Sequence, residues 1–171
     1  PLPMNPSHSL QPPNAVAFAT MLAKSASALG AELSLDDVRP DGAVVACELP
    51  LTDGGMLLVH YPPASGTLRL QVRMSPVKAG TENAAHALML QANFLTADAA
   101  LLFAISAEDG DVFLIRTLPA AGLDVESLAI ALVEIARAAT SWQVLLRDLA
   151  PDAAQPSPHP VIPPATGDLY V

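Results

Sequence analysis

Hydrophobic and polar positions change period several times along this chain, and each change marks an element. The most regular stretch is Thr67–Met74, where Leu68, Leu70, Val72 and Met74 alternate with Arg69, Gln71 and Arg73. A period of two sends successive side chains to opposite faces of a strand, so this one has a dry face and a wet one. Ala43–Leu49 alternates in the same way through Val45, Cys47 and Leu49, and Met56–Tyr61 is a further short apolar run. Thr52-Asp53-Gly54-Gly55 and Pro62-Pro63-Ala64-Ser65-Gly66 separate these runs with turn-forming residues. Strands with one wet face predict an antiparallel meander.

Helical spacing flanks the meander. Asn14 is a good N-cap, Ala15–Leu29 a helical run and Gly30 a good residue to end it. Phe18, Leu22 and Leu29 share one side of that run, Met21 lies beside them and Val16 flanks the stripe. Segment 31–42 reads as a connection, with Leu33 and Leu35 as apolar pins and Pro40-Asp41-Gly42 as a turn. After the meander, Thr81–Thr96 reads as a helix that is Ala-rich and apolar on more than one side. Such a helix must be buried, and a small domain offers one inner face. The expectation is that one side covers the chain's own sheet and the other meets a second copy.

Ala99–Ala107 is a strand with apolar residues on both faces, and Glu108-Asp109-Gly110-Asp111 is a hairpin signal because Asp-Gly accepts positive φ cheaply. Val112–Leu118 returns, Asp124 caps, and a last helix runs to about Leu149 with Pro151 as its stop. Its stripe is Leu128, Leu132, Ile135, Ala139, Trp142, Leu146 and Leu149. The order α-β-β-β-α-β-β-α, with an antiparallel sheet and segregated helices, is an α+β domain over residues 14–149. The Pro-rich segments 1–13 and 150–171 are expected to be mobile and extended.

Composition sharpens one point. Of 171 residues, 51% are hydrophobic, and mean hydropathy is +0.40. That is more apolar surface than a domain of this size hides, so partners are expected. Val16, Leu58, Leu101, Phe103, Ile105, Ile130, Val133 and Val144 exceed what one sheet face can cover. Net charge is −9 with only eight Lys and Arg, which argues against a nucleic-acid partner. The lone Cys47 excludes an intrachain disulfide and a cysteine-based metal cluster, and its place between Val45 and Leu49 makes it a buried structural thiol. Ala15–Ala23 followed by Ser-Ala-Ser-Ala imitates a signal peptide, but no Lys or Arg precedes it. No apolar run reaches the roughly 18–20 residues of a membrane span.

No catalytic constellation emerges. His8 and His159 sit in the Pro-rich ends, His60 on a strand and His86 on the central helix, none at metal-ligand spacing. Asp36-Asp37 and Glu108-Asp109-Asp111 are the acidic clusters, and the latter lacks the ligand series of a calcium loop. Gly54-Gly55 has no phosphate-loop context, and no serine stands in a nucleophile elbow. No metal or cofactor is expected.

Several segments together resemble a family. Leu88-Met89-Leu90-Gln91-Ala92-Asn93-Phe94 is similar to a helix ending in Leu-x-x-Asn-hydrophobic. Leu101–Pro119 resembles an apolar strand, acidic Asp-Gly turn and return strand; Leu123-Asp124, Leu128, Leu132, Ala139, Trp142 and Leu145-Leu146 resemble a final helix. Leu29-Gly30 and Asp41-Gly42 also fit. These are features of the class I type III secretion chaperones, the Tir-chaperone (CesT-like) family, and the resemblance covers about Asn14–Leu149.

The resemblance implies a non-enzymatic homodimer in the cytoplasm of a Gram-negative bacterium. It would bind the N-terminal segment of an effector in extended form, keep it soluble and help deliver it to the secretion ATPase. Assigned by element, Ala85, Leu88, Met89 and Ala92 would form the dimer interface. Val16, Phe18, Met21, Leu58, Leu101 and Phe103 would contact the effector. A scaffold or regulatory protein that binds a folded partner is the alternative from another class, and a small enzyme is a third.

Overall fold

A computed structural model of the chain describes residues 11–33, 38–41, 44–53, 55–95 and 101–150. The expectations placed on residues 1–10, on Leu35 and Asp36-Asp37, on Gly42, Ala43 and Gly54, on Thr96 to residue 100, and on the tail from Pro151 with His159 lie outside the described residues.

The elements are helix α1 (Ala15–Ala26), strands β1 (Arg39–Asp41), β2 (Val44–Pro50), β3 (Met56–Tyr61) and β4 (Thr67–Arg73), helix α2 (Glu82–Leu95), strands β5 (Leu101–Ile105) and β6 (Val112–Pro119), and helix α3 (Val125–Arg147). The six strands form one antiparallel sheet in the order β1-β2-β3-β4-β6-β5. The α+β class and the expected order stand, with one strand added.

That strand corrects the reading of 31–42 as a plain connection. Arg39 pairs with Ala46 and Asp41 with Val44, so β1 is a short outer strand. Pro40 lacks an N–H and suggests a turn. At a sheet edge one side of the strand has no partner, and the missing donor is tolerated there.

Register gives the sheet its two faces. Cys47, Val59, Leu70, Arg116 and Leu101 align across five strands, and so do Leu49, Leu57, Val72, Leu114 and Phe103. α1 and α3 pack over this face and against each other. The core they close contains Phe18, Leu22, Tyr61, Leu68, Leu70, Leu128, Leu132 and Ile135, all buried. Cys47 is buried in it as expected.

Local chemistry sets the helix ends. The Asn14 side chain accepts a hydrogen bond from the Ala17 N–H at 2.9 Å, and the last turn tightens into a 3-10 turn over Ser27–Leu29 before Gly30 at φ +70°. The expected continuous helix to Leu29 is therefore α-helical only to Ala26. Phe18 stacks on Tyr61 at 4.3 Å between ring centroids, and the Tyr61 hydroxyl donates to the Pro13 carbonyl at 2.6 Å. Burial pushes that phenol above its usual range. The buried Ser25 hydroxyl bridges the carbonyls of Met21 and Val125, pinning α1 to the start of α3.

α3 opens on a capping box. The Asp124 carboxylate accepts from the Ser127 N–H at 2.8 Å, and the Ser127 hydroxyl accepts from the Asp124 N–H at 2.9 Å. At 23 residues α3 is long and apolar enough, by length and composition, to cross a membrane, although Glu134 and Arg137 interrupt its apolar run. Here its stripe faces β4, β6 and α1 instead.

Two variants test this core. Leu132→Ala should destabilise by about 2–5 kcal/mol, read from urea unfolding, because it opens a void between α3 and the sheet. The Ser127 hydroxyl and then its N–H hold the Asp124 carboxyl below the usual carboxylate range. Its contribution is therefore full above about pH 4, the ordinary carboxyl value, and is lost as pH falls through the lowered value. Asp124→Ala should lower Tm at neutral pH, and its gap to wild type should close on acidification.

Candidate functional site

α2 does not lie over the sheet. Among the helix–strand pairings of the described residues it packs beside β5, the outermost strand on its side. Asn93 makes the join. Its side-chain carbonyl accepts from the Phe103 N–H at 2.6 Å, and its amide donates to the Phe103 carbonyl at 3.0 Å. Phe103 itself turns inward and meets Trp142 of α3 edge to face at 4.8 Å.

This docking decides which side of α2 is free. Ala85, Met89 and Ala92 face the protomer and are buried, Met89 to 3% exposure. Leu88 is half-buried. The opposite side carries Leu90, Phe94 and Leu95 at 69%, 84% and 79% exposure. Leu90 and Phe94 are one turn apart, so with Leu95 they form a continuous apolar patch, joined by Gln91.

A second surface lies on the sheet face away from α1 and α3, which no helix covers among the described residues. Leu58, Gln71, Ile115 and Leu102 align across four strands there, with Phe113 and Ala104 in the next row. All are half-buried or exposed. His60, Arg69 and Thr117 form the neighbouring polar row. The face is thus apolar toward β5 and polar toward the other end.

The expected contact residues divide accordingly. Of those assigned to a dimer interface, Ala85, Met89 and Ala92 are covered by the protomer's own β5 side, which leaves Leu88 at the margin. Of those assigned to the effector, Phe18, Met21 and Phe103 are buried, Leu58 and Leu101 are half-buried, and Val16 is 73% exposed. The three do not share a patch: Val16 is on α1, Leu101 on the covered face and Leu58 on the open one. Sequence reasoning missed Leu90, Phe94 and Leu95 as the exposed set. The signal was present in part, since Leu90 and Phe94 repeat at helical spacing opposite Ala85, Met89 and Ala92, with Leu95 to one side.

Charged groups here serve structure. Arg73 pairs with Asp111 across the β4–β6 boundary, with Asp109 3.9 Å away. The Ser106 hydroxyl, then the Asp111 N–H, hold the Asp109 carboxyl below the usual range. This is the expected Asp-Gly hairpin, with Gly110 at φ +74°. Arg116 reaches over the covered face to Glu134 of α3 at 2.6 Å. Among the described residues no group of three or more His, Cys, Asp or Glu is placed to hold a metal ion.

Comparison with known proteins adds family and fold. The model of the Tir chaperone protein (CesT) family matches residues 14–143. No curated protein sequence matches the chain closely enough to count as a relative. Among solved structures, a chain of the ExsC–ExsE complex is similar at TM-score 0.61 and 20% identity, covering 77% of this chain and 95% of its own. A chain of the HopA1–SchA chaperone–effector complex is similar at TM-score 0.56 and 16% identity, covering 74% and 93%. A chain of the heterodimeric ExoU–SpcU complex, from the type III secretion system of Pseudomonas aeruginosa, is similar at TM-score 0.53 and 17% identity, covering 77% and 99%.

The two sides of α2 should respond differently to charge. Met89→Glu buries a carboxylate without a partner and should unfold the chain. Phe94→Glu should leave stability within about 0.5 kcal/mol of wild type in chemical denaturation.

Proposed function

The chain belongs to the Tir chaperone protein (CesT) family, and on that premise we propose that it is a type III secretion chaperone that binds effector protein and catalyses no reaction. The family match over 14–143 carries this reading. Two observations support it. Similar folds occur in the HopA1–SchA chaperone–effector complex and in ExoU–SpcU of a type III secretion system. The chain also holds two apolar surfaces open, which suits protein partners.

In this reading the effector's N-terminal segment binds in extended, non-globular form. Its apolar side chains rest on the Leu58, Ile115 and Leu102 row, and Val16 on α1 adds a further contact. Ordering an extended segment costs conformational entropy, which a long contact surface offsets. A strand can also be added at an open sheet edge. The bound effector stays soluble in the cytoplasm and is handed to the secretion ATPase.

The functional unit in this reading is a homodimer. Its interface is the outer side of α2, with Leu90, Phe94 and Leu95 and with Leu88 at the border. This replaces Ala85, Met89 and Ala92 in the assignment, because the protomer already covers them. The domain is 14–149, and the Pro-rich ends lie outside the binding unit.

Coexpression with candidate effectors, followed by pull-down and light scattering, tests the proposal. A dimer retaining an effector N-terminus is expected, and limited proteolysis should leave that segment protected but unfolded. A strict monomer that retains no effector segment would overturn it, and an intact folded partner would favour a scaffold. Phe94→Glu should give folded monomers. Leu58→Glu with Leu102→Glu should keep the dimer and weaken effector binding at least about tenfold, equivalent to roughly 1.4 kcal/mol.

A further inference from the structure

The two edges of the sheet are built differently. Among the described residues β1 is three residues long, and Pro40 at its centre has no N–H to offer another strand. β5 reads Leu-Leu-Phe-Ala-Ile, with no charge and no proline. Leu102 and Ile105 are exposed on it. A short, uncharged, aliphatic and aromatic strand at an edge is a template for pairing with any other chain.

Asn93 stands at the middle of that edge. In the β5–β6 ladder Phe103 lies opposite Leu114, and the Phe103 N–H and carbonyl turn to the α2 side, where Asn93 takes both. A carboxamide carries one acceptor and donor hydrogens side by side, as a peptide group does. No charged side chain reproduces the pair, since a carboxylate only accepts and an ammonium only donates.

We infer that Asn93 closes the β5 edge to strand addition, supplying to Phe103 the two hydrogen bonds that a seventh strand would supply. α2 is then a guard of the sheet as well as a surface. The side chain is a positioning residue, and the guard works in the free chain whether or not the chaperone reading holds.

The test uses the full chain and three variants, Asn93→Ala, Asn93→Asp and Asn93→Ala combined with Leu102→Lys. Hydrogen exchange is followed at the Phe103 amide, with the β4 amides as internal reference, and association by light scattering. Asn93→Ala should exchange Phe103 at least tenfold faster relative to β4 and should form species larger than the wild-type assembly. Asn93→Asp keeps the acceptor for the Phe103 N–H and loses the donor to its carbonyl. It should protect that amide nearly as wild type does, yet still associate. Leu102→Lys places a charge on the opened strand and should suppress the association caused by Asn93→Ala without restoring Phe103 protection. A merely structural role would be moved by neither the split in Asn93→Asp nor the charge rescue. A folded Asn93→Ala with unchanged Phe103 exchange overturns the inference, as does association that Leu102→Lys leaves intact. Should Asn93→Ala fail to fold, Asn93→Asp decides, and absence of association in that variant overturns the inference.

Discussion

Cross-strand register is the constraint on which the rest of this protein depends. With a side-chain period of two, aligning Leu49, Leu57, Val72, Leu114 and Phe103 commits every intervening residue to the other face. A slip of one residue in any strand would exchange the two sets. One set forms the core with α1 and α3, while the other is left to solvent or to a partner. The open face is therefore not a failure of burial. It is the second half of the same alignment.

α2 follows from this arrangement. Two helices already occupy the covered face, so the third takes the side of the sheet. There Asn93 meets the main chain of Phe103, while Ala85, Met89 and Ala92 join the hydrophobic core. A helix seated by Ala85, Met89 and Ala92 needs only a narrow inner stripe, and small residues let it approach closely. Its outer side then remains available for large apolar residues. The placement accounts for why the chain carries more hydrophobic content than one core can hold.

Much of the fold was legible because strong periodicity and turn chemistry agreed. The strict alternation of Thr67–Met74, the Asp-Gly turn and the Asp124 cap each fixed an element with a local cause. Two points were less legible. Pro40 reads as a breaker, and whether it sits in a turn or an outer strand depends on pairing with Val44–Ala46, which no local pattern encodes. In Thr81–Thr96 the helix was plain but its orientation was not. An Ala-rich helix has apolar residues on several sides, so the inward one is chosen by the neighbour it meets. Asn93 illustrates the limit best. Its spacing in Leu-Gln-Ala-Asn-Phe marks it out, but its use depends on a strand ten residues away folding back beside it.

The Ser25 bridge has a bearing on how the chain is made. Its hydroxyl spans α1 and the carbonyl of Val125, one hundred residues on. During synthesis α1 leaves the ribosome before the helix it leans on has been translated. Its apolar side can lodge against early strands, but the pairing with α3 waits for nearly the whole domain. Closing so long a loop is slow relative to local steps, while the added entropic cost grows only logarithmically with length. Of α1, α2 and α3, the earliest to emerge is thus among the last to be fully enclosed.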